Sequence, residues 1–252
     1  MPLLSQPKRE LRRRASSRAA APVAIIGASV ELRLGDTLVT ALPDGALWIA
    51  AARTLVVSDL HLEKGSSFAL RGQMLPPYDT HAALAKLQRL MDTLAPDIVV
   101  SLGDSFHDGG GVARIADTDR ATLQAMIARC DWLWVEGNHD GRAPETLGGA
   151  VRDVLHIGAL VLRHEPTQVA AFGEIAGHLH PCARVSGRGR SVRRRCFATD
   201  GARLVMPAFG AFTGGLNICD DAYAPIFPNG AMALVLGKDR VLPVLNERLL
   251  GD

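Results

Sequence analysis

The sequence predicts an α/β fold in which two β-sheets pack face to face and helices flank them. In the first half of the chain, short apolar runs typical of buried strands alternate with amphipathic helical segments, in the order β-α-β-α-β. After Gly141 the helical periodicity fades, and short strand-like runs separated by tight turns follow. This order favours a two-sheet sandwich with its helices outside. A length of 252 residues and a hydrophobic fraction of 48% suit one such domain with a sizeable core.

The strands of the first half are predicted from short apolar runs. Val30–Leu34 alternates apolar and polar residues and ends at a turn over Gly35-Asp36, which is typical of a half-buried strand. The other runs are almost wholly apolar, as expected of strands covered on both faces. They lie at Ala46–Ala50, Thr54–Ser58, Asp97–Leu102 and Trp132–Glu136.

Two helices are predicted between these strands. The first begins at Asp79 or Thr80, either of which can cap it, and runs to Leu94 with apolar residues at helical spacing. The second is an amphipathic helix over Asp117–Cys130. The second half is predicted to hold strands at Val151–His156, Leu160–Arg163, Glu174–Ala176, Ala183–Ser186, Val192–Ala198, Leu204–Met206, Met232–Leu236 and Val241–Leu245.

Residues 1–22 are predicted to form a disordered basic arm, because they are rich in Arg, Ser, Ala and Pro and lack apolar periodicity. Six basic residues against one acidic residue give residues 1–18 a net charge of +5. The whole chain carries +2, so the remainder carries −3, and global charge gives no support for a nucleic-acid partner. A solvated tail is favoured over a DNA-binding arm, and residues 23–252 are predicted to form a single domain.

The four cysteines form no C-x-x-C pair, which predicts reduced and mostly buried thiols in a cytosolic protein. An export signal is the alternative, since Arg12-Arg13-Arg14 precedes the apolar run Ala19–Val30. Arg18 interrupts that pattern, however, and no small-x-small cleavage site precedes Glu31. The cysteine pattern and the weakness of the export signal therefore predict a cytoplasmic location. No run approaches about 18 apolar residues, so no membrane partner is predicted.

Five polar clusters follow predicted strands directly, and in open α/β sheets ligands bind outside the carboxyl ends of strands. Each cluster alone is weak evidence, because a lone His or a Gly-Asp pair after a strand is more often part of a turn. In extended backbone alternate residues point to one side, which would bring Asp59 beside His61 and His178 beside His180. The glycines let the backbone turn sharply and approach a bound ion closely. In chain order the clusters are Asp59-Leu60-His61, Gly103-Asp104, Gly137-Asn138-His139-Asp140, His164 and Gly177-His178-Leu179-His180.

This ordered set, D-x-H, G-D, G-N-H-D, H and G-H-x-H, resembles the signature of the calcineurin-like binuclear metallophosphoesterases over nearly the whole folded length. The resemblance implies their two-sheet metallophosphoesterase β-sandwich and two divalent metal ions, whose activated hydroxide attacks a phosphoester. Ligation by nitrogen and oxygen alone fits Mn²⁺, Fe or Zn²⁺ and does not choose among them. The implied ligands are Asp59, His61, Asp104 and His180 for one metal, and Asp104, Asn138, His164 and His178 for the other, with Asp104 as the bridge.

By the same resemblance, His139 is the general acid that protonates the leaving oxygen. Asp140 either orients His139 or forms part of the turn. A supporting role for His107 and Asp108, which follow Asp104 closely, is the less favoured of two interpretations.

Five longer segments carry a closer resemblance: Ser58–Phe68, Arg71–Thr80, Gly103–Asp108, Gly177–Pro181 and Met206–Asn217. Together they are similar to the PdeM family of bacterial ligase-associated DNA-damage-response endonucleases. That resemblance implies a Mn²⁺-dependent phosphodiesterase that cuts DNA, either single-stranded or with single-stranded regions. It also implies a place in repair clusters with a helicase, a DNA ligase and an exonuclease.

A hairpin directly after the Gly177–His180 cluster carries six arginines and no acidic residue between them. Because it begins beside the candidate metal ligands, we favour a surface that follows DNA phosphates into the site over a solvated face. Gly65–Gln73 lacks periodicity and is a candidate lid or substrate loop, with Lys64 and Arg71 beside or within it. The arginines are Arg184, Arg188, Arg190, Arg193, Arg194 and Arg195, of which Arg190, Arg193, Arg194 and Arg195 are the candidate DNA contacts.

Two other functions stay open. The same metals would serve a phosphodiesterase that acts on small cyclic or dinucleotide substrates. An enclosed pocket would favour that function, and an open, Arg-lined groove would favour DNA. A non-catalytic scaffold is the third function, and the complete ligand set together with His139 argues against it.

Overall fold

The computed structural model describes residues 23–139, 146–187 and 190–252, which form two β-sheets with helices outside them. This arrangement confirms the predicted α/β sandwich. The basic arm over residues 1–22 lies outside the described residues, so its separation from a single domain over 23–252 stays a prediction.

The first sheet has eight strands, paired in chain order. The alternation of Val30, Leu32 and Leu34 places these three residues in the core, as predicted. The strands up to β5 pair antiparallel, and β5 to β8 run parallel, so the parallel strands end at the same edge of the sheet. The strands are β1 (Val23–Ile26), β2 (Ser29–Leu34), β3 (Thr37–Ala41), β4 (Leu47–Ile49), β5 (Thr54–Val57), β6 (Ile98–Leu102), β7 (Asp131–Val135) and β8 (Ala150–Arg152).

The second sheet has ten strands, in which β10, β11 and β14 run parallel to one another. Its main path is β15-β12-β13-β14-β11-β10-β9, with β16 paired to β13 and β17, and β18 paired to β12. The strands are β9 (Val154–Ile157), β10 (Leu160–Arg163), β11 (Glu174–Ala176), β12 (Pro181–Gly187), β13 (Arg190–Thr199), β14 (Arg203–Val205), β15 (Leu216–Asn217), β16 (Met232–Leu236), β17 (Val241–Val244) and β18 (Leu249–Leu250).

The predicted single strand over Val151–His156 is wrong, because the chain crosses from one sheet to the other within it. Val151 in β8 pairs with Trp134 of the first sheet, whereas Leu155 in β9 pairs with Leu162 of the second. The bend falls at the exposed Asp153. A nearly continuous strand-like pattern does not record which sheet each half joins.

Four helices are described: α1 (Lys64–Leu70), α2 (Asp79–Leu94), α3 (Gly111–Arg114) and α4 (Asp117–Ile127). The helices α2 and α4 confirm the two predicted ones, although α4 ends three residues before Cys130. The helix α1 forms where an irregular loop over 65–73 was expected.

The predicted capping of α2 by Asp79 or Thr80 is wrong, because both side chains bind the segment that enters α1 instead. The Asp79 carboxylate accepts a hydrogen bond from the backbone N–H of Gly65 at 2.9 Å. The Thr80 hydroxyl accepts from the backbone N–H of Glu63 at 2.9 Å and donates to its carboxylate at 2.8 Å. These bonds fix α1 against α2, close behind the Asp59–His61 cluster.

Three apolar clusters hold the layers together. One lies between the sheets, where Val56 and Val100 of the first sheet meet Leu162 and Phe197 of the second. Another lies under α2 and α4, and the third lies between the second sheet and residues 218–231. Burial of this apolar surface is the main stabilising contribution, and it holds the parallel strands of both sheets in fixed positions.

The described part of the chain contains no helix that is long and apolar enough to cross a membrane. All four cysteines have free thiols, with Cys182 and Cys196 buried and Cys219 exposed.

Candidate metal centre

The seven predicted ligand side chains lie together at the edge where parallel strands of both sheets end. Each follows the carboxyl end of a strand, so the backbone of two packed sheets fixes their relative positions. In chain order, β5 leads to Asp59 and His61, β6 to Asp104, β7 to Asn138, β10 to His164, and β11 to His178 and His180.

A first donor group consists of Asp59, His61, Asp104 and His180, whose ligand atoms all lie within 4.8 Å of one another. The Nε2 atoms of His61 and His180 are 3.2 Å apart. Nε2 of His180 lies 3.1 Å from Oδ1 of Asp59, and Nε2 of His61 lies 3.9 Å from Oδ2 of Asp104. Two imidazoles and two carboxylates therefore converge on one point.

A second donor group consists of Asp104, His164 and His178. Nε2 of His164 lies 3.4 Å from Oδ1 of Asp104 and 3.2 Å from Nδ1 of His178. The Oδ1 atom of Asn138 completes the group, at 2.9 Å from Nε2 of His164 and 3.2 Å from Nδ1 of His178. The partition of the seven side chains is the one implied by the sequence motifs.

Asp104 is common to both groups and directs one carboxylate oxygen toward each of them. Its side chain is only 3% exposed. Burial by itself raises the pKa of this carboxyl, but the hydrogen bond and the charge of His164 outweigh burial and lower the pKa to about 2. Asp104 is therefore a carboxylate at neutral pH, as a bridging ligand must be.

Two of the ligand histidines are neutral, and the third lies in a strongly negative environment. Burial, and then the charge of His180, lowers the pKa of His61 to about 3, and burial also lowers the pKa of His178, so both are neutral imidazoles. Burial opposes protonation of His164 as well, yet its hydrogen bond to Asp104 and the nearby carboxylate charges raise its pKa to about 9. The same negative charge that holds a proton at this position favours a divalent cation, and the donor set thus fits two metal ions.

Hydrogen bonds from outside the donor groups orient the ligands. His164 donates its Nδ1 proton to the carbonyl of Leu102 at 3.2 Å, which leaves Nε2 free for a metal. The hydroxyl of Ser58 lies 2.5 Å from Oδ2 of Asp59, and the backbone N–H of His178 donates to the same oxygen at 3.1 Å. The sequence motifs do not indicate a role for Ser58, and its position directly before a candidate ligand is the signal that could have shown one.

The ligands do not converge through extended backbone, so that expectation is wrong. Asp59, His61, Asp104, His178 and His180 all have left-handed backbone, with φ between 43° and 69°. Such conformations cost free energy in residues other than glycine and persist only where the surrounding structure imposes them. Here the strand ends and the buried hydrogen bonds impose them.

Two of the glycines are required because the site leaves no room for a side chain. At Gly103 the backbone has φ +75°, and a Cβ would lie 2.1 Å from Nδ1 of His164. At Gly177 a Cβ would lie 1.9 Å from the Ser58 hydroxyl oxygen and 2.6 Å from Oδ2 of Asp59. These glycines let the backbone after β6 approach His164, and the backbone after β11 approach Ser58 and Asp59, closely enough to share one site.

His139 lies at the open side of the centre. Its backbone N–H donates to Oδ1 of Asp104 at 3.0 Å, and its Nε2 lies 3.9 Å from Oδ2. The side chain is 45% exposed, whereas that of Asp104 is 3% exposed. His139 can therefore meet a substrate that arrives from solvent. Asp140, predicted to orient His139, lies outside the described residues.

His107 also lies in this region, although the sequence indicated it only weakly. Its ring is 5.6 Å from that of His61 and 6.1 Å from that of His139, to which it is nearly parallel at 8°. Its Nδ1 is buried and has no hydrogen-bond partner among the described residues. His107 thus supports the side of the centre on which His139 stands.

The structure divides the four predicted DNA-contacting arginines between the two faces of β13. Side chains alternate along a strand, so Arg193 and Arg195 share one face, and Arg190 and Arg194 share the other. Arg190 and Arg194 are exposed. Arg188, at the turn of the hairpin, lies outside the described residues.

Arg193 and Arg195 donate to backbone carbonyls of the segment 206–215. Arg195 donates to the carbonyls of Ala208 at 3.0 Å and Thr213 at 3.2 Å, and Arg193 donates to that of Gly215 at 2.7 Å. The same segment reaches the centre, because the N–H of Gly210 donates to the carbonyl of Asp59 at 3.2 Å. On this face the arginines hold the segment that supports the first donor group.

Comparison with known families identifies this arrangement. The sequence profile described as calcineurin-like phosphoesterase matches residues 52–194, more than half of the chain. The chain belongs to the calcineurin-like phosphoesterase family. This confirms the predicted family and makes the protein a metal-dependent phosphoesterase. The matched residues include all seven candidate ligands.

Among solved structures, the Pseudomonas putida nuclease MPE is similar to this calcineurin-like phosphoesterase with a TM-score of 0.66 and 26% identity, covering 86% of this chain and 100% of that one. The phosphoesterase Yfce from E. coli gives a TM-score of 0.41 and 15% identity over 76% of this chain and 97% of its own. The protein of unknown function AQ665 from Aquifex aeolicus gives a TM-score of 0.33 and 19% identity over 45% of this chain and 60% of its own. A comparison with curated proteins gave no match.

Proposed function

We propose that this calcineurin-like phosphoesterase is an endonuclease that hydrolyses phosphodiester bonds of DNA, either single-stranded or with single-stranded regions. The observation that carries the proposal is the similarity to Pseudomonas putida nuclease MPE, which spans all of that chain at 26% identity. The exposure gradient of the centre supports it. The carboxylates of Asp59 and Asp104 are buried, while His139 and His178 reach solvent at 45% and 33% exposure, so a polymer can approach from that side.

The residues divide the work of the reaction. Divalent cations in the two donor groups would activate a water molecule and offset the charge of the phosphate. Asp104 holds the two groups at a fixed separation, and Ser58 and Leu102 keep Asp59 and His164 oriented toward them. His139, on the exposed side, donates a proton to the leaving oxygen.

The proposal includes Mn²⁺ as the working cation, with Fe or Zn²⁺ as alternatives that the same nitrogen and oxygen donors accept. It also includes a cytoplasmic location and a role in DNA repair beside a helicase and a DNA ligase. These parts rest on the resemblance of the sequence motifs.

The test is to incubate the Mn²⁺-loaded protein with circular single-stranded DNA, circular duplex DNA and a panel of cyclic nucleotides. We expect the protein to cut the single-stranded circle, and since a circle has no DNA end, this cut shows endonuclease activity. A chelator should stop the reaction. Hydrolysis of a cyclic nucleotide with both circles left intact would instead support the phosphodiesterase of small substrates and overturn the endonuclease.

A further inference from the structure

Lys64 is a half-buried cation without a local partner. It begins α1, three residues after His61, and its Nζ lies 5.8 Å from the centre of the Phe68 ring. Among the described residues none accepts a hydrogen bond from its ammonium, and no carboxylate lies within 4 Å of it. Burial lowers its pKa, and the charge of Arg195 lowers it further, against the opposing effect of Asp79. A partly desolvated ammonium is costly unless an anion compensates for it.

Its surroundings place this cation on the His139 side of the metal centre. Lys64 begins α1 three residues after the candidate ligand His61, and its ammonium lies over the Phe68 ring. Phe68 on the same helix lies 5.7 Å from His107, whose ring is nearly parallel to that of His139. Lys64, Phe68 and His107 therefore form one wall beside the proposed general acid.

Basic side chains predominate along this wall, since Asp108, the acidic group that acts on His107, is already paired with Arg114 at 2.7 Å. Arg71, just after the end of α1, also lowers the pKa of His107, and Arg195 acts on Lys64 from β13. Asp79 is the acidic group that opposes Lys64, and its carboxylate already accepts a hydrogen bond from the backbone of Gly65. A negatively charged ligand group would be stabilised at this position.

We propose that Lys64 binds a second phosphate of the nucleic-acid substrate, namely the one next to the scissile phosphate on the leaving-group side. This rests on the proposed function, since the leaving oxygen faces His139 and a polynucleotide continues from that oxygen to its next phosphate. The strand that leaves the site then lies along α1, with Phe68 beside it. A cyclic nucleotide has no such phosphate, so Lys64 would also set the preference for polymers.

The experiment uses three substrates made of two thymidines joined by one phosphodiester: one without a terminal phosphate, one with a 5′ phosphate and one with a 3′ phosphate. We expect the wild type to favour one of the two phosphorylated forms over the unphosphorylated form by roughly tenfold in kcat/KM, as a charge-assisted contact would give. In Lys64→Met this ratio should fall to about one, and Lys64→Arg should retain most of it. Lys238→Met, at an exposed lysine in the turn between β16 and β17, is the matched control and should keep the full ratio.

The ratio separates the possible failures. If Lys64→Met lowers kcat/KM for all three substrates in parallel, Lys64 has a structural role or acts on the scissile phosphate, and the second phosphate site is overturned. An unchanged ratio in that variant overturns it as well. If the wild type cleaves neither these substrates nor DNA, the proposed function fails, and the second phosphate site fails with it.

Discussion

His61 and His180 point their Nε2 atoms at each other across 3.2 Å, although the two residues are 119 positions apart in the chain. Burial holds His61 in its neutral form, and an imidazole nitrogen that presents a lone pair is satisfied only by a donor or a cation. A cation between them, together with the carboxylates of Asp59 and Asp104, satisfies both nitrogens. The contact is therefore best explained as half of a ligand shell.

Gly103 should not tolerate a side chain. In Gly103→Ala the new Cβ would lie 2.1 Å from Nδ1 of His164, so the ring must move and the second donor group is disrupted. We expect a loss of at least about 3 kcal/mol in the free energy of unfolding, measured with urea, together with weaker metal binding.

Gly72 provides the matched control for Gly103, because it has the same φ of +75° and nothing within 4 Å of a Cβ. Gly72→Ala should lower the free energy of unfolding only by the strain of a left-handed backbone at alanine, about 1–2 kcal/mol. Equal losses in the two variants would show that the clash with His164 is unimportant.

His139→Ala should keep the metals and lose turnover. General acid catalysis contributes roughly 10²–10⁴-fold, and the loss should be largest for DNA, whose leaving oxygen needs a proton. An aryl phosphodiester with an acidic leaving group should suffer much less. His156→Ala, at an exposed histidine in β9, is the control and should leave both rates near wild type. Equal losses of His139→Ala on both substrates would exclude a general acid role.

The two faces of β13 should respond differently to substitution. Replacing Arg190 and Arg194 by Ala should leave stability unchanged and flatten the salt dependence of DNA binding. Each lost phosphate contact should reduce the slope of log binding constant against log salt concentration by roughly 0.7 on single-stranded DNA or 0.9 on duplex DNA. An unchanged slope would mean that these two arginines form only a solvated surface.

Replacing Arg193 and Arg195 by Ala should instead lower the free energy of unfolding. The carbonyls of Ala208 and Thr213 would lose their part-buried donor Arg195, at about 1 kcal/mol for each bond, whereas the exposed bond from Arg193 to Gly215 contributes less. Urea unfolding of both double variants measures the contrast. Equal stability of the two double variants would contradict the role given to this face.

Lys86 should make stability depend on pH in the alkaline range. Its Nζ donates to the carbonyls of Phe209 at 2.8 Å and Asp44 at 3.2 Å, and burial, followed by the charge of Arg195, lowers its pKa from 10.5 to about 8. Between these two pH values the unfolded chain holds more protons than the folded one. The charged Lys86 therefore lowers the free energy of unfolding in full below pH 8, and this loss is relieved as the pH rises toward 10.5.

The comparison of the wild type with Lys86→Met isolates this effect from other groups that titrate at alkaline pH. From below pH 8 to about pH 10.5, the wild type should gain on the order of 2–3 kcal/mol of unfolding free energy relative to the variant. Urea unfolding with a chelator in both samples measures it. A difference that stays flat across this range would show that the Lys86 pKa is not lowered.

The sequence indicated which side chains would lie together in the candidate centre because these donors are tied to strand ends. Thr54–Ser58 and Leu160–Arg163 read as buried strands from their apolar residues alone, and the ligands follow directly. What the sequence did not show is how the side chains converge. The left-handed backbone at Asp59 and Asp104 is imposed by packed strands and by hydrogen bonds between distant residues, which no local pattern records.

Two further differences have the same origin. The helix α1 lacks a clear apolar period, and its first turn is held by Asp79, fourteen residues after Gly65. The division of the arginines between two faces follows from strand alternation and was open to prediction. The hydrogen bonds from Arg195 to the carbonyls of Ala208 and Thr213 could not be predicted, because only the folded chain brings that segment close to β13.

The central claim is that one carboxylate, that of Asp104, belongs to two cation sites at once. Metal analysis of Asp104→Ala tests it most directly, with Asp239→Ala at an exposed position as the control. After dialysis with Mn²⁺, the wild type and Asp239→Ala should each retain two tightly held ions, and Asp104→Ala should retain fewer than one, because both donor groups lose an anionic ligand. Two ions retained by Asp104→Ala would contradict the claim.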